Sequence, residues 1–215
     1  MKQLISFAIC FAATATIISA CGKKDTKASG VIPPHQNEMT FSPDSAYAYV
    51  KDQVNFGPRV PGSKAHKDCA DYIASQFKKF GADSIIIQNA SVTAHTGDEL
   101  GITNIMAQYQ PELDNRVLII AHYDTRPWAD QDENPDNTSK PISGANDGAS
   151  GVAVMLEIAR AIGANHPKIG VDFLAVDAED YGKRDGWGNA DETWCLGSQY
   201  WTKHMPYTTS NLPKY

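Results

Sequence analysis

Five acids and one histidine fall at three separated places in this 215-residue chain. His122 and Asp124 close the run "VLIIAHYD". Asp177, Glu179 and Asp180 close the run "FLAVDAED". Asp147 stands between them, alone among small residues in "SGANDGASGVAVMLEIAR". Taken by itself, Asp147 suits an ordinary cap or turn, because Asp and Gly both favour such places. Brought to one place, carboxylates and an imidazole with no thiolate suit zinc in a catalytic setting. A carboxylate left over beside the metal could move a proton. Small residues around Asp147 would let the backbone and a substrate approach closely, and a carboxylate near a helix start gains roughly 0.3–1 kcal/mol from the helix dipole.

These residues share a place only if the elements around them put them there. "RVLIIAHYD" is a continuous apolar run of the kind buried on both faces of a sheet, and "GVDFLAVDAED" is a second. Between them, residues 150–162 set Val152, Met155, Leu156, Ala159 and Ile162 on one face of a helix. Upstream, residues 42–56 follow a Ser-Pro start signal. Residues 64–80 repeat Ala65, Cys69, Tyr72, Ile73, Phe77 and Phe80 at helical spacing and stop at Gly81. "DSIIIQNA" and "TNIMAQYQ" read as strands. The pattern predicts an α/β fold, a three-layer αβα sandwich around a mixed, largely parallel sheet. Sites on such sheets lie at the carboxyl ends of the strands, where the acids gather.

The first twenty residues read as a secretory signal and are set apart from the fold. Residues 4–18 are apolar but short for a bilayer span, and "ISAC" ends at Cys21. That ending resembles a bacterial lipoprotein box with Cys21 lipidated, although Ile18 stands where Leu is commoner. Residues 21–41 are polar, carry two prolines and read as a flexible tether. The expected location is the cell envelope, lipid-anchored on the periplasmic or outer-membrane side. Residues 42–215 are expected to form one folded domain, incomplete at its C-terminal end. The net charge of −6 gives no support to nucleic-acid binding, and no basic run carries interleaved aromatics. Cys69 and Cys195 remain as an expected disulfide or a pair of neighbouring buried thiols.

Five blocks, "FGPRVPGSKAH", "AHYDTRPWA", "GANDGASGVAVMLEIAR", "DAEDYG" and "WCLGSQYW", occur in an order that resembles the zinc exopeptidase family M28. They look most like its glutaminyl-peptide cyclotransferase branch, found in Bacteroidetes-type lipoproteins. The resemblance implies Asp147 and Asp180 as metal ligands and Glu179 as general base. Many members carry Glu where this chain has Asp180. It implies one zinc per complete site for a cyclotransferase. For the family's aminopeptidases it implies two, with His122 a ligand and Asp124 behind it. The implied partners are peptide or protein N-termini, preferably Gln. Trp128, Trp187 and Trp194 are candidates for the wall of a substrate pocket or for ordinary packing. His204 has little claim as a ligand, because the family's final metal histidine lies farther along. That histidine is expected beyond Tyr215, so the chain is read as incomplete at its C-terminus and inactive alone. A non-catalytic, peptide-binding lipoprotein is the competing reading from another class.

Overall fold

A single apolar strand, Gly170–Val176, organises the molecule: all seven of its residues are buried. The structure is a computed structural model that describes residues 41–163, 165, 167–184, 191–207 and 212. Helix α1 (Pro43–Asn55) is capped by Ser42, whose side chain accepts from the Ser45 amide. Helix α2 (Lys64–Lys79) is capped the same way by Ser63, through the His66 amide. Such caps satisfy amides that have no partner within the helix. Strands β1 (Ser84–Thr93), β2 (Glu99–Tyr109) and β3 (Arg116–His122), helix α3 (Gly151–Gly163), strand β4 (Gly170–Val176) and helix α4 (Leu196–Lys203) follow. No described helix is long and apolar enough to cross a membrane.

The described sheet has the order β1-β2-β4-β3. It is mixed, as expected, but the parallel share is one pairing of three. β1 and β2 form an antiparallel hairpin, β2 runs antiparallel to β4, and β3 and β4 are parallel. A short hairpin turn at Gly97, φ +88°, makes the first pair antiparallel. The β3–β4 connection passes through α3 and makes the other pair parallel. The expectation that β3 would be buried on both faces does not hold. It is the last strand of the described sheet, and Ile120 is 51% exposed.

Helices cover both faces. On one side, α2 and α3 bring Cys69, Ile73, Phe77, Val152, Met155 and Leu156 against alternate sheet residues such as Ile105, Phe173 and Ala175. Phe77 stacks on Phe173 with ring centroids 5.4 Å apart. On the other side, Trp201 of α4 packs on Met106, Leu174 and Val176. At the amino end of the parallel pair, buried Arg116 donates through Nε (2.7 Å) and Nη2 (2.6 Å) to the two oxygens of buried Asp172. The fold thereby leaves the opposite, carboxyl end of β3 and β4 to the chemistry. Cys69 and Cys195 are both free thiols, which corrects the expected disulfide. Cys69 lies on α2 and Cys195 immediately precedes α4, helices that cover opposite faces of the sheet, and only Cys69 is fully buried.

Candidate active site and metal centre

Parallel pairing aligns the ends of β3 and β4. His122 pairs with Val176, and the Tyr123 amide donates to the Val176 carbonyl at 3.2 Å. The residues that follow both strands therefore share one rim. Asp124 points inward and is fully buried. Its two oxygens accept from the amides of Glu179 and Asp180, each at 3.1 Å. One carboxylate thus fixes the turn that carries the next two acids. Ala178 allows that turn with φ +47°, a conformation uncommon outside glycine. The start of α4 closes it from the far side. The amides of Cys195, Leu196 and Gly197 donate to the carbonyls of Glu179, Ala178 and Asp177 at 2.9–3.0 Å. Gly197 has no room for a side chain, since a Cβ there would lie 2.2 Å from the Asp177 carbonyl oxygen.

Asp147 arrives from the segment before α3. Its backbone is extended, φ −86° and ψ 110°, between glycines at φ +59° (Gly144) and φ +98° (Gly148). A Cβ on Gly148 would lie 2.6 Å from the Asp124 carbonyl oxygen, and one on Gly144 would lie 2.2 Å from the Thr125 side chain. The small residues are required because this loop presses on the end of β3. Arg59, fully buried, ties the two together. Its guanidinium donates to the carbonyls of Ser143 (2.5 Å), Gly144 (2.6 Å) and Tyr123 (3.3 Å). Gln53 of α1 holds the same loop through the Ala149 carbonyl at 3.0 Å.

The side chains then meet. His122 Nε2 is 3.0 Å from Asp147 Oδ1, and its Nδ1 is 3.4 Å from Asp124 Oδ1 and 4.0 Å from Glu179 Oε2. The Nδ1 contact with Asp124 is ionic and too poorly aligned to be a hydrogen bond, so this buried nitrogen has no hydrogen-bond partner in the described structure. Burial pulls the His122 imidazole towards the neutral form. Asp124, Glu179 and Asp147 outweigh it and push its pKa up to about 9. The Asp180 carboxyl is pushed up to about 7, first by burial and then by Asp147, against the lowering pull of Arg126.

This crowd of acids fits a cation. The donors are oxygen and nitrogen only, and burial together with the neighbouring Asp147 carboxylate holds Asp180 partly protonated where no cation neutralises the group. Asp147 and Asp180 could hold a divalent cation, and His122 Nε2 lies 3.0 Å from Asp147 Oδ1. The set is not closed: among the described residues no three His, Cys, Asp or Glu side chains are arranged to hold a metal.

A cleft of about 460 Å³ opens beside these acids, lined by Asp147, Asp180, Arg126, Trp128, Trp194 and Arg184 among others. Arg126 lies between the two tryptophans, 5.4 Å from the Trp128 ring and 4.9 Å from the Trp194 ring. It donates to the Asp180 and Gly182 carbonyls, each at 3.1 Å. The Trp194 ring packs so close to Gly182 that a Cβ there would lie 2.0 Å from it.

The family model for peptidase family M28 matches residues 104–213, just over half the chain and the whole of the rim. The chain belongs to peptidase family M28. A glutaminyl cyclase from Bacteroides thetaiotaomicron, solved with N-acetylhistamine, is 45% identical with TM-score 0.78, over 83% of this chain and 61% of that one. A Zn-dependent exopeptidase from Parabacteroides distasonis is 46% identical with TM-score 0.77, over 83% of this chain and 61% of that one. The alkaline phosphatase isozyme conversion protein of Escherichia coli is 29% identical over 162 residues, 71% of this chain and 47% of that protein. This M28 chain therefore spans about three fifths of the solved relatives and half of the curated one.

Within this M28 chain, the structure brings His122, Asp124, Asp147, Glu179 and Asp180 to one rim and sets Trp128 and Trp194 on the adjoining cleft. Asp177 is not with them. It is fully buried, 2.7 Å from His66 Nε2 and 2.6 Å from the Thr103 amide that donates to it, and it anchors β4 to β2 and α2. His204 caps the far end of α4 and stacks on Tyr200. Trp187 and Cys21 lie outside the described residues. Arg59, Arg126 and Cys195 escape the sequence reading. Arg59 sits in a Gly/Pro loop with no periodicity, and its partners are carbonyls that no motif announces.

Proposed function

We propose that this M28 protein is a zinc-dependent glutaminyl-peptide cyclotransferase, converting N-terminal Gln of peptides to pyroglutamate with release of ammonia. The observation that carries this reading is the pair of backbone hydrogen bonds from Glu179 and Asp180 to buried Asp124. They hold one acid beside the cleft for the metal and one for the proton. The similarity to a solved glutaminyl cyclase supports the choice of reaction.

Asp147 and Asp180 would hold the zinc, which when bound would supply Lewis acidity towards the side-chain carboxamide of the substrate. The substrate's α-amine attacks the carbonyl carbon of its own side-chain carboxamide (Cδ), a C–N bond forms and closes a five-membered lactam, and ammonia leaves from that same carbon. Glu179 accepts the proton that the amine loses and returns it to the departing ammonia. Asp124 fixes the Glu179 backbone without touching substrate. Trp128 and Trp194 wall the cleft, and holding the amine against the carbonyl supplies much of the acceleration.

A second reading is supported by the 3.0 Å contact between His122 and Asp147. If both share a second zinc, the site suits water activation and an M28 aminopeptidase. Metal analysis of the protein expressed from its complete natural reading frame separates the two. One tightly bound zinc supports the cyclotransferase, and two support the aminopeptidase. From the "ISAC" ending at Cys21 we propose separately that a lipid on Cys21 anchors the protein in the cell envelope.

A further inference from the structure

We infer that Cys195 is a positioning residue for Glu179, holding one carboxylate oxygen so that the other faces the reacting groups. The inference rests on the reading of Glu179 as the base. The Cys195 thiol lies 3.4 Å from Glu179 Oε1 and donates to it. The same residue's backbone N–H donates to the Glu179 carbonyl at 2.9 Å. Cys195 therefore grips the acid at both ends. The other oxygen, Oε2, is the one that faces His122 at 4.0 Å.

The grip is built into the backbone. Cys195 adopts φ +55° and ψ 37°, and this left-handed turn folds the start of α4 back onto the 177–179 turn. Neighbouring amides complete the clamp through the Ala178 and Asp177 carbonyls. The thiol can serve as donor at neutral pH, because burial and the adjacent Glu179 carboxylate push its pKa up to about 11.

Two measurements on the full chain test this. Iodoacetamide labelling of the native protein, read by peptide mapping, compares the parent with Glu179→Ala. Removing the carboxylate frees the thiol and raises its thiolate fraction, so Cys195 labelling should accelerate about tenfold or more. Cys69, fully buried, should stay unlabelled in both and reports that the fold is intact. Equal Cys195 rates with Cys69 protected would overturn the contact. On Gln-initiated peptide, Cys195→Ala should lower kcat about fivefold, near the worth of one ordinary hydrogen bond, with KM unchanged, and Cys195→Ser should restore most of it. Unchanged kcat in Cys195→Ala, or a Ser variant no better than Ala, overturns the role. If the parent turns over no Gln-initiated peptide, the cyclotransferase reading fails. The labelling arm still decides the contact.

Discussion

Glu179 and Asp180 are adjacent, both are acidic, and their surroundings give them different work. Asp180 is buried beside Asp147 and its carboxyl titrates near 7. Glu179 is half-buried and reaches toward His122 and Cys195. Replacing Glu179 by Gln keeps the size and removes the proton acceptor. Cyclisation should fall by roughly 10²–10⁴-fold while zinc content stays near that of the parent. Loss of metal in Glu179→Gln would assign it instead as a ligand. For Asp180 the sign of the pH effect follows from its raised pKa. In the metal-free native state it holds a proton up to about pH 7, whereas its ordinary value is 3.8. The native state binds the extra proton in that window, so metal-free stability falls as pH rises from 3.8 towards 7. Zinc must displace that proton, so its affinity should weaken roughly tenfold per pH unit below about 7. Chelator competition across this range measures it, and a flat profile would remove Asp180 from the ligand set. His122 adds a second slope. Its contribution is fully present below its ordinary 6.5 and is lost as pH rises through about 9.

At the scale of elements, the parallel pair β3–β4 is what makes a site of these residues. Its far end is fastened by Arg116 and Asp172, both buried. Asp172→Ala would leave the guanidinium without its carboxylate and should cost about 3–5 kcal/mol, measured by urea unfolding. A loss under 1 kcal/mol would show that the Pro111 and Leu113 carbonyls, which Arg116 Nη1 also reaches, suffice. The helices and apolar strands were legible in the sequence because their periodicities follow directly from burial. α2 shows this well, since Cys69, Ile73 and Phe77 are its buried stripe. The exposure of β3 was not legible. An apolar run such as "VLIIA" carries no mark of whether a strand is central or at an edge. The rim acids were legible as strand-end and helix-entrance residues, but Asp177 shows the limit. Its type and place match its neighbours, and only the alternation of side chains turned it inward to His66. Cys195 was legible only as a thiol and candidate partner of Cys69; its contact with Glu179 was not, because a left-handed backbone at a non-glycine residue is set by the contacts around it.

For the whole molecule, one M28 domain carries the site, and the anchor proposed at Cys21 precedes it in sequence. Cys21→Ser should move the protein from the membrane fraction to the soluble fraction if Cys21 carries the lipid. Unchanged fractionation with an unmodified Cys21 by mass spectrometry would contradict the anchor. The central claim concerns which bond the site makes. The zinc-loaded protein, expressed from its complete natural reading frame, should be incubated with one peptide that begins with Gln and one that begins with Leu. Mass spectrometry should find the Gln peptide lighter by one ammonia and otherwise whole, and the Leu peptide unchanged. Removal of the first residue from either peptide, with no ammonia-loss product, would contradict the cyclotransferase and make the site an exopeptidase.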